Sequence, residues 1–210
     1  MSTASLETRF AAAAEAVDLP FSSLQSYWAE LVRHYGATNR HYHNLNHLHQ
    51  LFQLCDEYNA KLEDATIVNW AIWYHDIIYN ARRKDNEAQS AQLAKVRLEE
   101  TTLSSGQVMQ IVQFIEATAQ HLSVLASGDL AYFLDFDLAI LGAPAPEYRA
   151  YTDAIRKEYR HVPGFFYRRG RRKVIQYFSQ AKQLYRTPEL RQRFESQARA
   201  NLHWELQKLS

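Results

Sequence analysis

The chain has a single cysteine, Cys55, among its 210 residues. One thiol cannot form an intrachain disulfide, and this usage fits a reducing compartment. Glycine and proline are scarce, at six and five. That leaves too few turn residues for a protein built of many short strands and suits helices joined by brief turns. No stretch approaches the roughly 20 consecutive apolar residues of a bilayer span, and the segment from Met1 to Glu7 lacks a basic run followed by an apolar one. Charge of one sign is lacking too. Lys and Arg number 24 against 23 Asp and Glu, for a net +1 at pH 7, so no global field draws nucleic acid or an anionic membrane, and any anion binding must be local. A cytoplasmic protein with no membrane partner and no expected nucleic-acid partner is the starting expectation.

What is present is ample apolar material. Apolar residues make up 47% of the chain, enough for one large domain or two small ones. The apolar positions recur at helical spacing. Ser22 or Ser23 is placed to cap a helix carrying Tyr27, Trp28, Leu31 and Val32 and stopping at Gly36. Asn44 is placed to cap a helix through Leu48, Leu51, Phe52 and Leu54, and Asp64 a central helix ending near Tyr79. Asp85 or Asn86 starts the next, and Ser104-Ser105-Gly106 breaks it before Val108, Ile111, Val112 and Ile115. Further helices are expected over Leu130 to Leu141, after Gly142-Ala143-Pro144, after Pro163-Gly164, and from Thr187-Pro188 to near the end. No linker or repeat interrupts the pattern. One all-α domain over residues 1–210 is the simplest reading.

Three clusters stand out within that pattern. The run Trp70-Ala71-Ile72-Trp73-Tyr74-His75-Asp76-Ile77-Ile78-Tyr79 is apolar and aromatic around an adjacent histidine and aspartate. A buried carboxylate without partners costs several kcal/mol, so Asp76 needs a cation or several donors. A divalent metal shared with His75 answers that need, and an arginine salt bridge beside a hydrogen-bonded core histidine answers it as well. The second cluster, Arg40-His41-Tyr42-His43-Asn44-Leu45-Asn46-His47-Leu48-His49, packs four of the nine histidines into nine positions. With a helix starting near Asn44, His43 and His47 lie one turn apart, while His41 and His49 are expected at the surface. The third, Leu134-Asp135-Phe136-Asp137-Leu138, sets two aspartates in an apolar helix. Asp137 is the better ligand candidate, and Asp135 is read as a cap or supporting partner.

Together these clusters resemble the HD superfamily of metal-dependent phosphohydrolases, whose signature is a histidine, an adjacent His-Asp pair and a distant aspartate on helices. Here the match is His47, His75-Asp76 and Asp137. Tyr42-His43-Asn44-Leu45-Asn46-His47 also resembles the Tyr-His-Asn-x-x-His motif of cyclic-nucleotide phosphodiesterases, and the whole pattern is most similar to small bacterial proteins described as predicted HD-superfamily phosphohydrolases. The motifs cover about residues 40 to 141. The resemblance implies an HD-type helical bundle with the C-terminal helices packed on the motif core, and a divalent ion held by His47, His75, Asp76 and Asp137. Mn, Fe, Co, Ni, Zn and Mg are all compatible with that donor set. It implies hydrolysis of a small phosphoester, a nucleotide above all, by metal-activated water. His43 is then the general acid and Glu87 the carboxylate that orients it.

Asn86, His121 and Arg156 are carried as substrate contacts. His121 is the one histidine between Asp76 and Asp137, which favours one tightly held ion over two. A non-catalytic nucleotide-binding or signalling module of the same fold is the alternative function, and a di-iron redox enzyme is a more distant one. The run Arg168-Arg169-Gly170-Arg171-Arg172-Lys173, read as a helix N-terminus, is the strongest local charge feature. A homo-oligomer is compatible with all of this.

Overall fold

The computed structural model describes residues 3–122 and 124–210, and its secondary structure there is all-α: ten α-helices with three short 3-10 turns and no strand among the described residues. No helix among those residues is long and apolar enough to cross a membrane. The chain divides into two compact units, residues 1–121 and 122–210. The division falls inside the motif core, with His47, His75 and Asp76 in the first unit and Asp137 in the second.

The first unit holds α1 (Thr3–Glu15), α2 (Phe21–Tyr35), α3 (Leu45–Glu57), α4 (Ala65–Tyr74), α5 (Asn86–Leu98) and α6 (Ser105–Ala117). Local chemistry sets several boundaries. The Asn44 side chain accepts from the Asn46 amide, and Asp64 accepts from the Thr66 and Ile67 amides, so both act as the expected N-caps. Ser104 and Gln107 form a reciprocal capping box at the start of α6. α2 begins one to two residues before the serines expected to cap it, because Pro20 occupies the N-cap and its restricted φ starts the helix at Phe21. The alanine-rich α1 has no counterpart in the expected elements. It buries Leu6, Phe10 and Ala14 on one stripe.

α4 is buried nearly all round. Trp70 and Trp73 meet Phe10 edge-to-face at ring-centroid distances of 5.8 and 5.4 Å, and Phe52 of α3 lies 4.4 Å from Trp73. Aromatic pairs of this kind add about 0.5–1.5 kcal/mol beyond area burial. The small side chains Ser90, Ala91 and Ala94 are fully buried on α5, which packs on α6.

The second unit holds α7 (Gly128–Asp137), continued by a 3-10 turn over Leu138–Gly142, then α8 (Ala145–Glu158), α9 (Gly164–Gln180) and α10 (Pro188–Lys208). α10 begins with proline after Thr187, as expected. A Cβ on Gly142 would sit 2.5 Å from the Phe194 Cβ, so glycine is what allows this close approach to α10. Asn201 donates to the carbonyls of Leu141 and Ala143, both at 2.8 Å, and fixes the same contact.

The basic run does not start a helix. It lies four residues inside α9, whose first turn is Gly164 to Tyr167. Arg171 turns inward and pairs with the buried Glu205 at 2.7 Å, while Arg168, Arg169, Arg172 and Lys173 are exposed.

Candidate metal centre

The central helix ends at Tyr74, five residues short of the expected Tyr79, and His75 is its C-cap. The His75 amide still closes the last turn on Ala71, but the Asp76 amide donates instead to the Tyr35 hydroxyl at 3.2 Å. That hydroxyl donates in turn to the Trp73 carbonyl. The Asp76 amide thus leaves the helical ladder for a side chain, and the Ile77 amide closes a tighter turn on the Tyr74 carbonyl at 3.1 Å.

Arg40 holds the carbonyls of the turn that follows. It is buried, lies 5.0 Å over the Tyr35 ring, and donates to the carbonyls of Asp76 and Ile77 at 2.6 Å each and of His43 at 3.3 Å. One guanidinium therefore joins the histidine-rich connector to the turn that carries His75-Asp76. A planar fork of five donors makes this possible, and a lysine could not reproduce it.

The side chains converge. His75 Nδ1 donates to the Ile72 carbonyl at 2.9 Å, which orients the ring and directs Nε2 inward. His75 Nε2 lies 3.1 Å from His47 Nε2 and 3.2 Å from Asp76 Oδ2, and His47 Nε2 lies 3.8 Å from that same oxygen. Both histidines are buried, and the Asp76 side chain is 15% exposed. A proton on His75 Nε2, or a cation held by both groups, satisfies the carboxylate. The three separations define a triangle whose circumradius is about 2.0 Å, the length of a metal–imidazole or metal–carboxylate bond. A single ion fits this donor set, so His47, His75 and Asp76 form a group able to hold a metal. Asp137 is the last residue of α7 in the second unit and is half-buried.

His43 is not part of α3. It precedes the Asn44 N-cap, so its relation to His47 is not the expected single helical turn. The connector nevertheless brings the two rings to a centroid distance of 6.0 Å. The expected partner of His43 is also different. Among the described residues no hydrogen bond joins His43 to Glu87, which is half-buried in the first turn of α5. Instead His43 stacks on Tyr79 at a centroid distance of 4.2 Å and an interplanar angle of 29°. Arg40 lies 5.6 Å from the centre of the same tyrosine ring.

Asn86, expected to touch substrate, clamps the loop after the His-Asp pair. It accepts from the Asn80 amide at 3.0 Å and donates to the Asn80 carbonyl at 3.1 Å. One turn later Ser90 does the same to Ile78, at 3.0 and 3.3 Å. The side chains of α5 that follow the motif thus hold Ile78 to Asn80 in place. His121 ends the first unit, half-buried. Arg156, in the second unit, donates to the carbonyls of Tyr159 and Val162 and so closes the end of α8. His41 and His49, expected at the surface, are half-buried.

Asp135, read from the sequence as a cap or a supporting partner, binds the start of α10 from α7. It is fully buried and accepts from the amides of Arg186 and Thr187 and from the Thr187 hydroxyl, all within 2.9 Å, at the start of α10. Burial pushes its carboxyl above the ordinary carboxylate range, and these donors pull it back.

Arg40, Tyr35, Tyr79 and Ser90 are the residues of this site that the motifs did not announce. Of these, Arg40 and Tyr79 stand at the ends of runs already marked in the sequence, Arg40 opening the histidine-rich run and Tyr79 closing the Trp70–Tyr79 run. No protein-family model, curated protein or solved structure matches the chain.

Proposed function

We propose that the protein is a metal-dependent phosphohydrolase acting on a small phosphoester, with a nucleotide as the substrate class. The observation that carries this reading is the convergence of His47 Nε2, His75 Nε2 and Asp76 Oδ2 on separations that one ion satisfies. The order of His47, His75-Asp76 and Asp137 along the chain supports Asp137 as a further ligand, as in the HD superfamily that the sequence resembles. Bound there, a divalent ion supplies Lewis-acid polarisation of a phosphoryl oxygen and acidifies water near neutrality.

The chain's own residues do the rest. His75 is held by the Ile72 carbonyl so that only Nε2 faces the donor set. The proposed general acid is His43, beside that set but outside its three converging atoms, which hands a proton to the departing oxygen. Tyr79 holds the His43 ring by stacking, and Arg40 holds its carbonyl. The sequence resemblance assigns Glu87 to orienting His43. Packed α4 aromatics limit water behind the ligands.

The test is direct. Protein prepared with Mn, Ni, Co or Fe is screened against nucleotides and generic phosphoesters, beside His75→Ala and Asp76→Ala. Metal-dependent turnover that both variants lose is the expected result. Turnover surviving in both overturns the reading, and metal binding without any turnover favours a non-catalytic nucleotide-binding module instead.

A further inference from the structure

The near-zero net charge of the chain conceals an opposition between its units. Residues 122–210 carry fifteen Lys and Arg against nine Asp and Glu, while residues 1–121 carry nine against fourteen. Within the second unit the excess is concentrated on α9, which has five cations and no acidic residue from Gly164 to Gln180. Arg171 is neutralised by Glu205. Among the described residues Arg169, Arg172 and Lys173 have neither an ion-pair nor a hydrogen-bond partner.

The same exposed face carries aromatic rings. Phe165 and Phe166 are 64% and 62% exposed, and Tyr177 is 44% exposed. Exposed rings gathered beside one another on a polar-rimmed face mark interaction surfaces, whereas single exposed rings do not. At 100° per residue, Phe166, Arg169, Lys173 and Tyr177 fall on the side opposite buried Ile175, and Phe165 and Arg172 flank that side. Phe166 and Tyr177 lie on one line along the helix, about 16 Å apart at the rise of an α-helix. Arg169 and Lys173 stand between them. Gly170 leaves open space on this side.

We propose that the exposed face of α9 binds single-stranded nucleic acid. Cations at the centre of a face, with rings at its ends, match a phosphate backbone tracked by charge and bases stacked on aromatic side chains. The arrangement disfavours a bilayer. An in-plane membrane helix needs a continuous apolar face, and sinking Phe166 and Tyr177 into lipid would take Arg169 and Lys173 with them. The inference does not depend on the chemistry of the metal centre.

The experiment uses the full chain and a fluorescein-labelled oligouridylate of about 20 nucleotides, enough to cover a site of this kind, followed by fluorescence anisotropy across a salt series. Binding is expected at low salt and to weaken about tenfold or more between about 50 and 200 mM salt, as three phosphate contacts require. Arg169→Glu/Arg172→Glu/Lys173→Glu abolishes it. Phe165→Ala/Phe166→Ala weakens it several-fold with the salt slope unchanged, which separates stacking from charge. Circular dichroism verifies that both variants fold. Several results overturn the proposal: no binding at low salt, equal binding by the charge-reversed chain, or binding to phosphatidylglycerol vesicles with none to RNA. A salt-sensitive self-association, lost on charge reversal and unaccompanied by RNA binding, assigns the face to an acidic protein surface and overturns it too.

Discussion

Arg40 reaches the main-chain carbonyl of Asp76 at 2.6 Å across a sequence separation of 36 residues, and the same guanidinium holds the carbonyl of His43. The two stretches that carry the candidate chemistry are therefore set against each other by a buried cation that ligates nothing itself. These acceptors are main-chain carbonyls outside the helices, so removing Arg40 leaves them without this donor. Arg40→Ala is expected to cost about 3 kcal/mol of stability and to weaken divalent metal binding at least tenfold. Arg40→Lys keeps the charge but not the fork, so it falls between the two. Urea denaturation and calorimetric titration with Mn or Zn measure both quantities. Unchanged metal affinity in Arg40→Ala removes the positioning role.

Tyr79 stacks on His43 at a centroid distance of 4.2 Å and so helps to orient its ring. Tyr79→Phe keeps the ring and should keep most of kcat, whereas Tyr79→Ala should lower kcat about tenfold, the lower end of the effect of general acid catalysis. Metal affinity should be the same in both. If Glu87→Gln lowers kcat and Tyr79→Ala leaves it intact, the carboxylate and not the ring orients the acid.

The two aspartates of α7 should separate cleanly. Asp135 holds the start of α10 through three donors, so Asp135→Ala is expected to destabilise the protein by about 3 kcal/mol, the scale of a broken buried network, without changing metal content. Asp137→Ala should do the reverse, lowering metal affinity with a smaller effect on stability. Denaturation curves and metal analysis of the two purified variants make the comparison.

This separation also shows what was legible in the sequence. Asp135 finds its donors 51 and 52 residues away, but the Asn44 and Asp64 caps and the Thr187-Pro188 start of α10 depend on chemistry within a few residues and can be read from the chain. The end of α4 could not be. Ile77, Ile78 and Tyr79 continue the apolar pattern, and the helix stops where the hydroxyls of Tyr35 and Ser90, distant in sequence, take the amides of Asp76 and Ile78. The basic run was misplaced for a similar reason. Pro163-Gly164 marks the true start of α9, and the partner of Arg171 lies 34 residues later, in α10. Stacking of His43 on Tyr79 has no periodic signature at all.

His34 makes stability depend on pH. Burial, then the neighbouring Arg33 and Arg40 charges, lower its pKa below the ordinary 6.5. The folded chain therefore resists a proton that the unfolded chain accepts. The stabilisation is complete above pH 6.5 and is lost as pH falls from there through the lower folded value. A thermal melt series from neutral pH downward should show Tm falling below about pH 6.5, and His34→Gln should flatten that fall. A slope in this window that His34→Gln leaves unchanged assigns the dependence to other groups.

The central claim is that His47, His75 and Asp76 hold one metal ion. Metal content after dialysis, measured by plasma mass spectrometry on the wild-type chain and on His75→Ala, tests it most directly. About one ion per chain in the wild type, at the one-ion geometry of three converging donors, and a loss of that ion in a variant that still folds are the predicted results. Equal metal content in the two proteins, or none in the wild type after supply of Mn, Fe, Co, Ni and Zn in turn, contradicts the account.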